Sequence, residues 1–261
     1  MVTLAVSSFK GGTAKTSLSL NIGAALATFH NQRVLLVDFD AQANLTAGMG
    51  MDPDHHDSLA SVLQGEKSIK EVILPTHVKQ LDIIPADTWL ERVELGGSLA
   101  GDRYSHEKLK KVLSPLSYDI ILIDTPPSLC WLTESSLIAA DWAMVCATPE
   151  FYSIKGLQRL SYFMDYIRER HPFENLGVAI SFWNARGKHN SQFLEAIEEA
   201  FPGSLLQTKI RRDIAVSESA LQGTPTFMLR PKSRAASDFL AITKEITKKI
   251  IPHGELLASS H

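Results

Sequence analysis

The segment FKGGTAKTS (9–17) joins two adjacent glycines to a lysine and a hydroxyl residue, the residue types that hold a phosphate chain. Gly11 and Gly12 permit backbone conformations and close approaches that a Cβ would block. The N–H groups of Gly11, Gly12, Thr13, Ala14, Lys15 and Thr16 can then turn inward around a β-phosphate. They do so at the start of a helix, where unpaired donors and the helix dipole favour an anion. Lys15 supplies charge to the β- and γ-phosphates, the Thr16 hydroxyl suits Mg²⁺, and Ser17 completes the segment. A glycine-rich turn with an incidental lysine has the same composition, so the flanking elements decide between the two.

Carboxylates follow at two places where phosphoryl transfer needs them. Asp124 ends the run DIILID (119–124), and Asp38 and Asp40 end VLLVDFD (34–40). A carboxylate at such a strand end holds Mg²⁺ directly or through water. For Asp124 the competing use is capping of a strand end, and for Asp40 it is the N-cap of a helix beginning near Ala43.

These side chains meet only if the elements around them bring their ends together. Val2 to Ser7 are β-branched and small, and Lys15 to Phe29 place Leu18, Ile22, Ala25, Leu26 and Phe29 at helical spacing, so the glycines lie between strand and helix. Runs apolar on both faces recur at VLLVDFD, DIILIDTPP (119–127), WAMVCATPE (142–150) and LGVAISFWN (176–184). Helical patterns over 105–117, 130–140, 152–171, 189–201 and 233–251 separate the later ones. The alternation predicts an α/β fold, a doubly wound and mainly parallel sheet flanked by helices. Right-handed crossovers then place every strand's C-terminal end on one edge, which carries the glycine loop and the acids together.

The 261 residues, 44% hydrophobic and 21% charged, suit a soluble globular chain with a substantial core. With no repeat or low-complexity linker, one domain over 1–261 is expected, its last ten or so residues a flexible tail. No stretch approaches the roughly 18 apolar residues of a membrane span, and no basic region precedes the first apolar run, so a cytoplasmic chain is expected. Cys130 and Cys146 lie in apolar surroundings and are expected to be buried thiols, too few for a disulfide framework or a four-cysteine metal site. Net charge is -3, divided unevenly: residues 1–149 carry 11 Lys and Arg against 17 Asp and Glu, and residues 150–261 carry 15 against 12.

KGGxxK[ST] resembles the deviant Walker A motif of the ParA/MinD/Soj ATPases, with Phe9 where the general phosphate loop has its first glycine. The resemblance extends through LLVDFDAQANLT, LDIIPAD, YDIILIDTPPSLCWLTESSLIAAD, ATPEFYSIKGLQ and IRRDIAVSESALQGTPTFMLRPKSRAASDF. It implies an ATPase of weak intrinsic activity that uses ATP and Mg²⁺. Lys10 would be the signature lysine reaching the phosphates of a partner subunit, and Lys15 the ordinary loop lysine. Asp124 would be the Walker B carboxylate, Asp40 would orient the attacking water, and Asp38 would support the Mg²⁺ shell with Thr16. Gln42 and Asn44 fit the first switch and Thr125 to Ser128 the second. Asn184 in FWNAR and Arg211 in KIRRD fall at the base-binding edge, where Arg211 replaces a common proline. Ala14 replaces the usual glycine before the loop lysine. If that residue must adopt positive φ, alanine costs about 1 kcal/mol; if it is helical, the change is nearly neutral.

The landmarks are similar to the partition branch of that family. This implies an ATP-dependent homodimer that binds non-specific DNA over the nucleoid and is released when a ParB-type centromere-binding partner stimulates hydrolysis. Between Arg186 and Arg234 lie eight Lys and Arg residues and five acids; Arg186, Lys188, Arg230, Lys232 and Arg234 are the candidate DNA contacts. Arg186 matches a family DNA position, while Ala215 stands where another arginine is frequent. The chain begins close to its first strand, so no operator-binding extension is expected. A MinD-like membrane-associated ATPase for placing the division site is the alternative. It should end in a basic amphipathic helix, whereas this chain ends IPHGELLASSH, and no membrane partner is expected. An iron–sulfur carrier would need cysteines shared between subunits, and Cys130 alone offers one after the second switch.

Overall fold

The computed structural model describes residues 1–95, 105–150 and 153–251; the expected tail lies outside them. The first units are β1 (Val2–Ser7), α1 (Lys15–Phe29), β2 (Val34–Asp38), α2 (Asn44–Gly48) and α3 (Leu59–Leu63). Next come β3 (Leu74–Pro75), β4 (Leu81–Ile84), α4 (Trp89–Leu95), α5 (Lys108–Leu113), β5 (Ile120–Asp124) and α6 (Trp131–Ala139). The chain continues through β6 (Trp142–Ala147), α7 (Ser153–Arg168), β7 (Glu174–Trp183), α8 (Asn190–Ala200) and β8 (Leu205–Arg211). It closes with α9 (Ile214–Leu221), α10 (Thr226–Leu229) and α11 (Arg234–Ile250).

The strands form one sheet in the order β3-β4-β2-β5-β1-β6-β7-β8. Pairing is parallel except at the short edge strand β3, which runs against β4. This is the doubly wound, mainly parallel α/β sheet that the alternating runs predict. Its central strands are apolar on both sides because both faces are covered. Leu4 and Val6 of β1 pack with Leu18, Ile22 and Leu26 of α1 and with Phe239, Ile242 and Ile246 of α11. Ala5, between them, faces the other way, with Leu137, Leu157, Leu160 and Ile180. A third cluster gathers Leu35, Val37 and Phe39 against Leu59, Leu90, Leu109 and Leu132. Each fully buried side chain of this size contributes about 1.5–3 kcal/mol relative to exposure.

Some boundaries move. The pattern over 105–117 becomes a 3₁₀ turn at Ser105–Glu107 followed by α5, which stops at Leu113. Ser114 keeps helical angles, φ -56° and ψ -33°, and Pro115 after it has no N–H to donate to the next helical hydrogen bond. α7 ends at Arg168 rather than 171, and residue 152 lies outside the described residues. Cys146 is buried, but Cys130 is only partly so, correcting the expectation of two buried thiols.

Candidate nucleotide-binding site

Register places the acids. Asp38 ends β2 and pairs with Asp124 at the end of β5, while Val6 of β1 pairs with Asp124 from the other side. β1 then runs into the glycine loop, so loop and carboxylates share one edge of the sheet. Gly12 takes φ +75°, and no atom lies within 4 Å of where its Cβ would stand. Ala14 takes φ 59° and ψ 24°, the left-handed region, directly before α1 begins at Lys15. The costly branch of the glycine replacement is therefore the one the fold adopts.

Asp124 is the hub. Its carboxylate is fully buried, and Lys15, only 5% exposed, approaches it with Nζ at 2.9 Å. Thr16 Oγ1 donates to its second oxygen at 2.7 Å, and Ser19 Oγ donates to the first at 2.8 Å. Lys15, Thr16 and Ser19 reach one carboxylate because the first turns of α1 stack them above the end of β5. These three partners answer the capping alternative: Asp124 is used by side chains of the phosphate loop and its helix.

Asp38 is buried and accepts from the Thr46 amide at 2.8 Å and the Thr46 hydroxyl at 2.7 Å. Burial, followed by the neighbouring Asp124 charge, pushes its carboxyl up to about 7. Asp40, also buried, accepts from the Gln42 amide at 3.0 Å, closing a turn. It is not the N-cap of α2, correcting that expectation; Ala43 occupies the cap position at φ 51° without a side-chain cap. The short span from Asp40 to Ala43 closes through Ala43 N–H donating to Asp40 C=O, and the carboxylate stays at the sheet edge.

Lys10 lies on the exposed lip of the loop, 39% accessible, and forms an ion pair with Glu150 of the same chain. Phe9 packs into the cluster around α7. Across the loop, the Cys146 thiol donates to the Thr13 carbonyl at 2.9 Å, and burial pushes that thiol up to about 11. It is a protonated strut for the loop.

Beside this edge lies a cavity of about 650 Å³ whose lining includes Pro149, Phe182, Trp183, Asn184, Arg211 and Arg212. Asn184 Oδ1 accepts from the Arg186 amide at 3.1 Å. Arg211 is clamped by Asp238, with Nε at 2.9 Å and Nη2 at 2.7 Å from its two oxygens. The structure thus brings both base-edge residues to one cavity. Arg230 pairs with Glu218 and Arg234 with Asp213; Arg186 and Arg234 line the same cavity as Asn184 and Arg211, and Lys188 and Lys232 are exposed. Ala215 is buried, and the exposed neighbour is Ile214.

Sequence reasoning missed Ser19, Glu150 and Asp238. Ser19 was legible, since it lies four residues after Lys15 on a predicted helix. Glu150 and Asp238 meet their partners across the fold and leave no local signal.

A sequence profile described as an AAA domain matches residues 1–177. Over 248 residues the chain is 65% identical to a ParA family protein of Chlamydia pneumoniae, covering 94% of this chain and 97% of that one. The chain belongs to the ParA family. This ParA family member is also 33% identical to the sporulation initiation inhibitor protein Soj of Bacillus subtilis, over 93% of its own length and 97% of that protein's. Among solved structures, cobyrinic acid a,c-diamide synthase from Mycobacterium smegmatis with bound ADP and magnesium superposes with a TM-score of 0.81. The two share 27% identity, over 94% of this chain and 93% of that one.

The donor set fits such a metal. Thr16 Oγ1 and the Asp124 carboxylate are hard oxygen donors already in contact, and Mg²⁺ usually takes one or two protein oxygens plus phosphate and water. Among the described residues no group of three or more His, Cys, Asp and Glu side chains forms a metal cluster. No helix among them is long and apolar enough to cross a membrane. The buried side of α11 carries Phe239, Ile242, Ile246 and Ile250, so its apolar face is spent on the core.

Proposed function

We propose that this chain is a DNA-partition ATPase acting as one domain in the cytoplasm, over the nucleoid. Two ATP-bound copies bind DNA without reading its sequence, and a ParB-type partner accelerates a slow intrinsic hydrolysis that releases it. The observation that carries this reading is the convergence of Lys15, Thr16 and Ser19 on Asp124, with Asp38 alongside and a second lysine, Lys10, on the open lip. The strong similarity to ParA family proteins over nearly the whole chain supports the biological role.

The loop amides of residues 11–16 hold the phosphate chain, with Lys10 to Ser17 as the binding segment. Lys15 leaves Asp124 for the β- and γ-phosphates, compensating charge that grows in the transition state. Thr16 and Asp124 would hold Mg²⁺, with Asp38 and Asp40 supporting its water shell; when bound, the ion would supply compensation of phosphate charge. Asp40 orients the attacking water, a positioning role that needs no strong base. Lys10 exchanges Glu150 for the phosphates of the other copy, which makes dimerisation depend on ATP. Asn184 and Arg211 border the purine. Arg186, Lys188, Arg230, Lys232 and Arg234 supply the DNA face, doubled in the dimer.

A DNA-retention assay with and without Mg-ATP tests this directly. The wild-type chain is expected to bind random-sequence duplex only with ATP, and Lys15→Ala to abolish that binding and the ATP-dependent dimer. Retention that ignores ATP, or a monomer under every nucleotide condition, overturns the reading.

A further inference from the structure

A buried chain of polar atoms holds the turn that leads from the glycine loop into α1. Thr13, Cys146 and Ser181 are 3%, 0% and 1% exposed. They come from the loop, from β6 and from β7, and the sheet sets β1, β6 and β7 side by side. Cys146 Sγ lies 2.9 Å from the Thr13 carbonyl oxygen and 3.1 Å from Ser181 Oγ. A carbonyl only accepts, so the single thiol hydrogen goes to Thr13, and the Ser181 hydroxyl donates to the sulfur.

The carbonyl held by the thiol belongs to the peptide plane whose other end is the Ala14 N–H. That plane is trans, so its C=O and N–H point in opposite directions. Fixing the Thr13 carbonyl on Cys146 therefore fixes the Ala14 N–H as well, directed away from the thiol. This amide is one of the phosphate donors read in residues 11–16. One residue on, the Ala14 carbonyl accepts from the Leu18 N–H at 2.9 Å and opens the ladder of α1.

Ala14 has a reason to leave this arrangement. At φ 59° its Cβ crowds the following carbonyl. Rotating the Thr13–Ala14 peptide would carry Ala14 to negative φ, with Thr13 ψ taking up the change. The same rotation would reverse the amide and put a carbonyl oxygen where the phosphate donor stood. It would also set an N–H against the thiol, whose sulfur is only a weak acceptor. Cys146 thus opposes the one relaxation that would take a donor from the loop.

We propose that Cys146, backed by Ser181, is a positioning residue for nucleotide binding: its hydrogen bond holds the Thr13–Ala14 peptide in the orientation that offers the Ala14 N–H to phosphate. This rests on the reading of residues 11–16 as the phosphate loop. It ties Cys146, which lies behind the loop, to the residue type at position 14. Glycine takes positive φ about as readily as negative, so Ala14→Gly removes the drive to rotate.

The test measures the affinity of a fluorescent, non-hydrolysable ATP analogue, with Mg²⁺, for variants shown to be folded by circular dichroism. Cys146→Val nearly keeps the volume and loses the donor, whereas Cys146→Ser keeps the donor and loses volume. Cys146→Val is expected to weaken binding about tenfold, and Cys146→Ser to stay within about threefold of the parent. Packing alone predicts the reverse order. In chains that carry Ala14→Gly, Cys146→Val is expected to cost no more than about threefold, whereas a packing defect costs the same in either background. Unchanged affinity in Cys146→Val, a Cys146→Ser chain as weak as Cys146→Val, or an undiminished loss beside Ala14→Gly each overturns the proposal. The infrared S–H stretch of Cys146, isolated by Cys130→Ser, is expected at the lowered frequency of a donating thiol. An unshifted band overturns the assignment even where Cys146→Val does not fold. A wild-type chain that binds no analogue is instead the failure of the ATPase reading, and the proposal falls with it.

Discussion

Replacing Ala14 by glycine isolates one energetic feature of the phosphate loop. Ala14 sits at φ 59° and ψ 24°, and its neighbour Lys15 starts α1. A Cβ in the left-handed region costs about 1–2 kcal/mol against the following carbonyl. Glycine removes that cost but gives the unfolded chain more freedom, which takes back about 0.4–1 kcal/mol. The expected net gain for Ala14→Gly is about 0.5–1 kcal/mol, or about 1–3 °C in Tm for a chain of this size. Urea unfolding and thermal melts without nucleotide measure it, and Ala14→Val, β-branched at the same angles, should move the other way. Two further variants make the test specific. Ala43 adopts φ 51° at the start of α2, so Ala43→Gly should gain similarly. Ala220 is exposed within α9, so Ala220→Gly should lose about 1 kcal/mol. If Ala14→Gly is no more stable than the parent, or if all three glycine variants lose stability together, the strain argument is refuted.

Four shorter predictions follow from the same structure. Asp38 has its carboxyl raised from an ordinary 3.8 to about 7, so between those values the folded chain holds a proton that the unfolded chain releases. Without nucleotide and Mg²⁺, urea midpoints should fall as pH rises through that window, and Asp38→Asn should flatten the slope. At Glu245, burial raises the carboxyl, but hydrogen bonds from the Gln207 and Thr208 amides outweigh it and hold the group below its ordinary value. Its contribution is present above the unfolded pKa and lost as pH falls through the folded one; Glu245→Ala should cost about 1 kcal/mol of unfolding free energy at pH 7. The Asp213 carboxylate accepts from the Ala215 amide of α9 at 3.1 Å and the Arg234 amide of α11 at 3.0 Å. Asp213→Ala therefore removes the N-cap of α9 and a second acceptor at the first turn of α11, whose own N-cap is Ser233, and should cost about 1–2 kcal/mol in the same assay; Asp213→Asn, with one acceptor oxygen in place of two, should recover only the α9 cap. Of the five proposed DNA contacts per copy, Arg230 and Arg234 are held by Glu218 and Asp213, and the other three meet no carboxylate or ring among the described residues; if those three alone contact phosphate in an ATP-bound dimer, the logarithmic slope in DNA titrations against salt should be near -5, at about 0.9 per phosphate contact.

The sheet was legible because its strands are apolar on both faces and the intervening helices keep their spacing, which is what burial in a parallel sheet requires. The phosphate loop and Asp124 were legible because a strand, a glycine turn and a helix in sequence leave little freedom in where Lys15 and Thr16 point. The conformation of Ala14 was not: both branches fit the sequence, and only the path from Ser7 into α1 selects the strained one. α2 illustrates another limit. Its start is fixed by Thr46 reaching back to Asp38 and by a left-handed Ala43, and neither resembles the carboxylate cap that Asp40 suggested. The contacts Arg211–Asp238 and Lys10–Glu150 join residues far apart in sequence, so no local pattern announces them.

The division of charge between the two halves changes meaning once the partners are known. The first half owes part of its acidity to Asp38, Asp40 and Asp124, carboxylates buried at the nucleotide edge that add little to the outer field. In the basic half, Arg211, Arg230 and Arg234 face Asp238, Glu218 and Asp213, while Lys209 and Arg212 lie over the rings of Trp183 and Phe182. Of the eight cations between Arg186 and Arg234, Arg186, Lys188 and Lys232 meet no carboxylate or ring among the described residues. Three exposed charges on one copy attract a polyanion weakly at physiological salt, where screening sets in within about 8 Å. Two copies held in one orientation, as the proposed function requires, would present six, and because each phosphate contact multiplies the binding constant, such a pair would hold DNA that a single copy releases. On that proposal, the internal neutralisation of the arginines is what would let dimerisation, and through it the nucleotide, decide whether DNA is held.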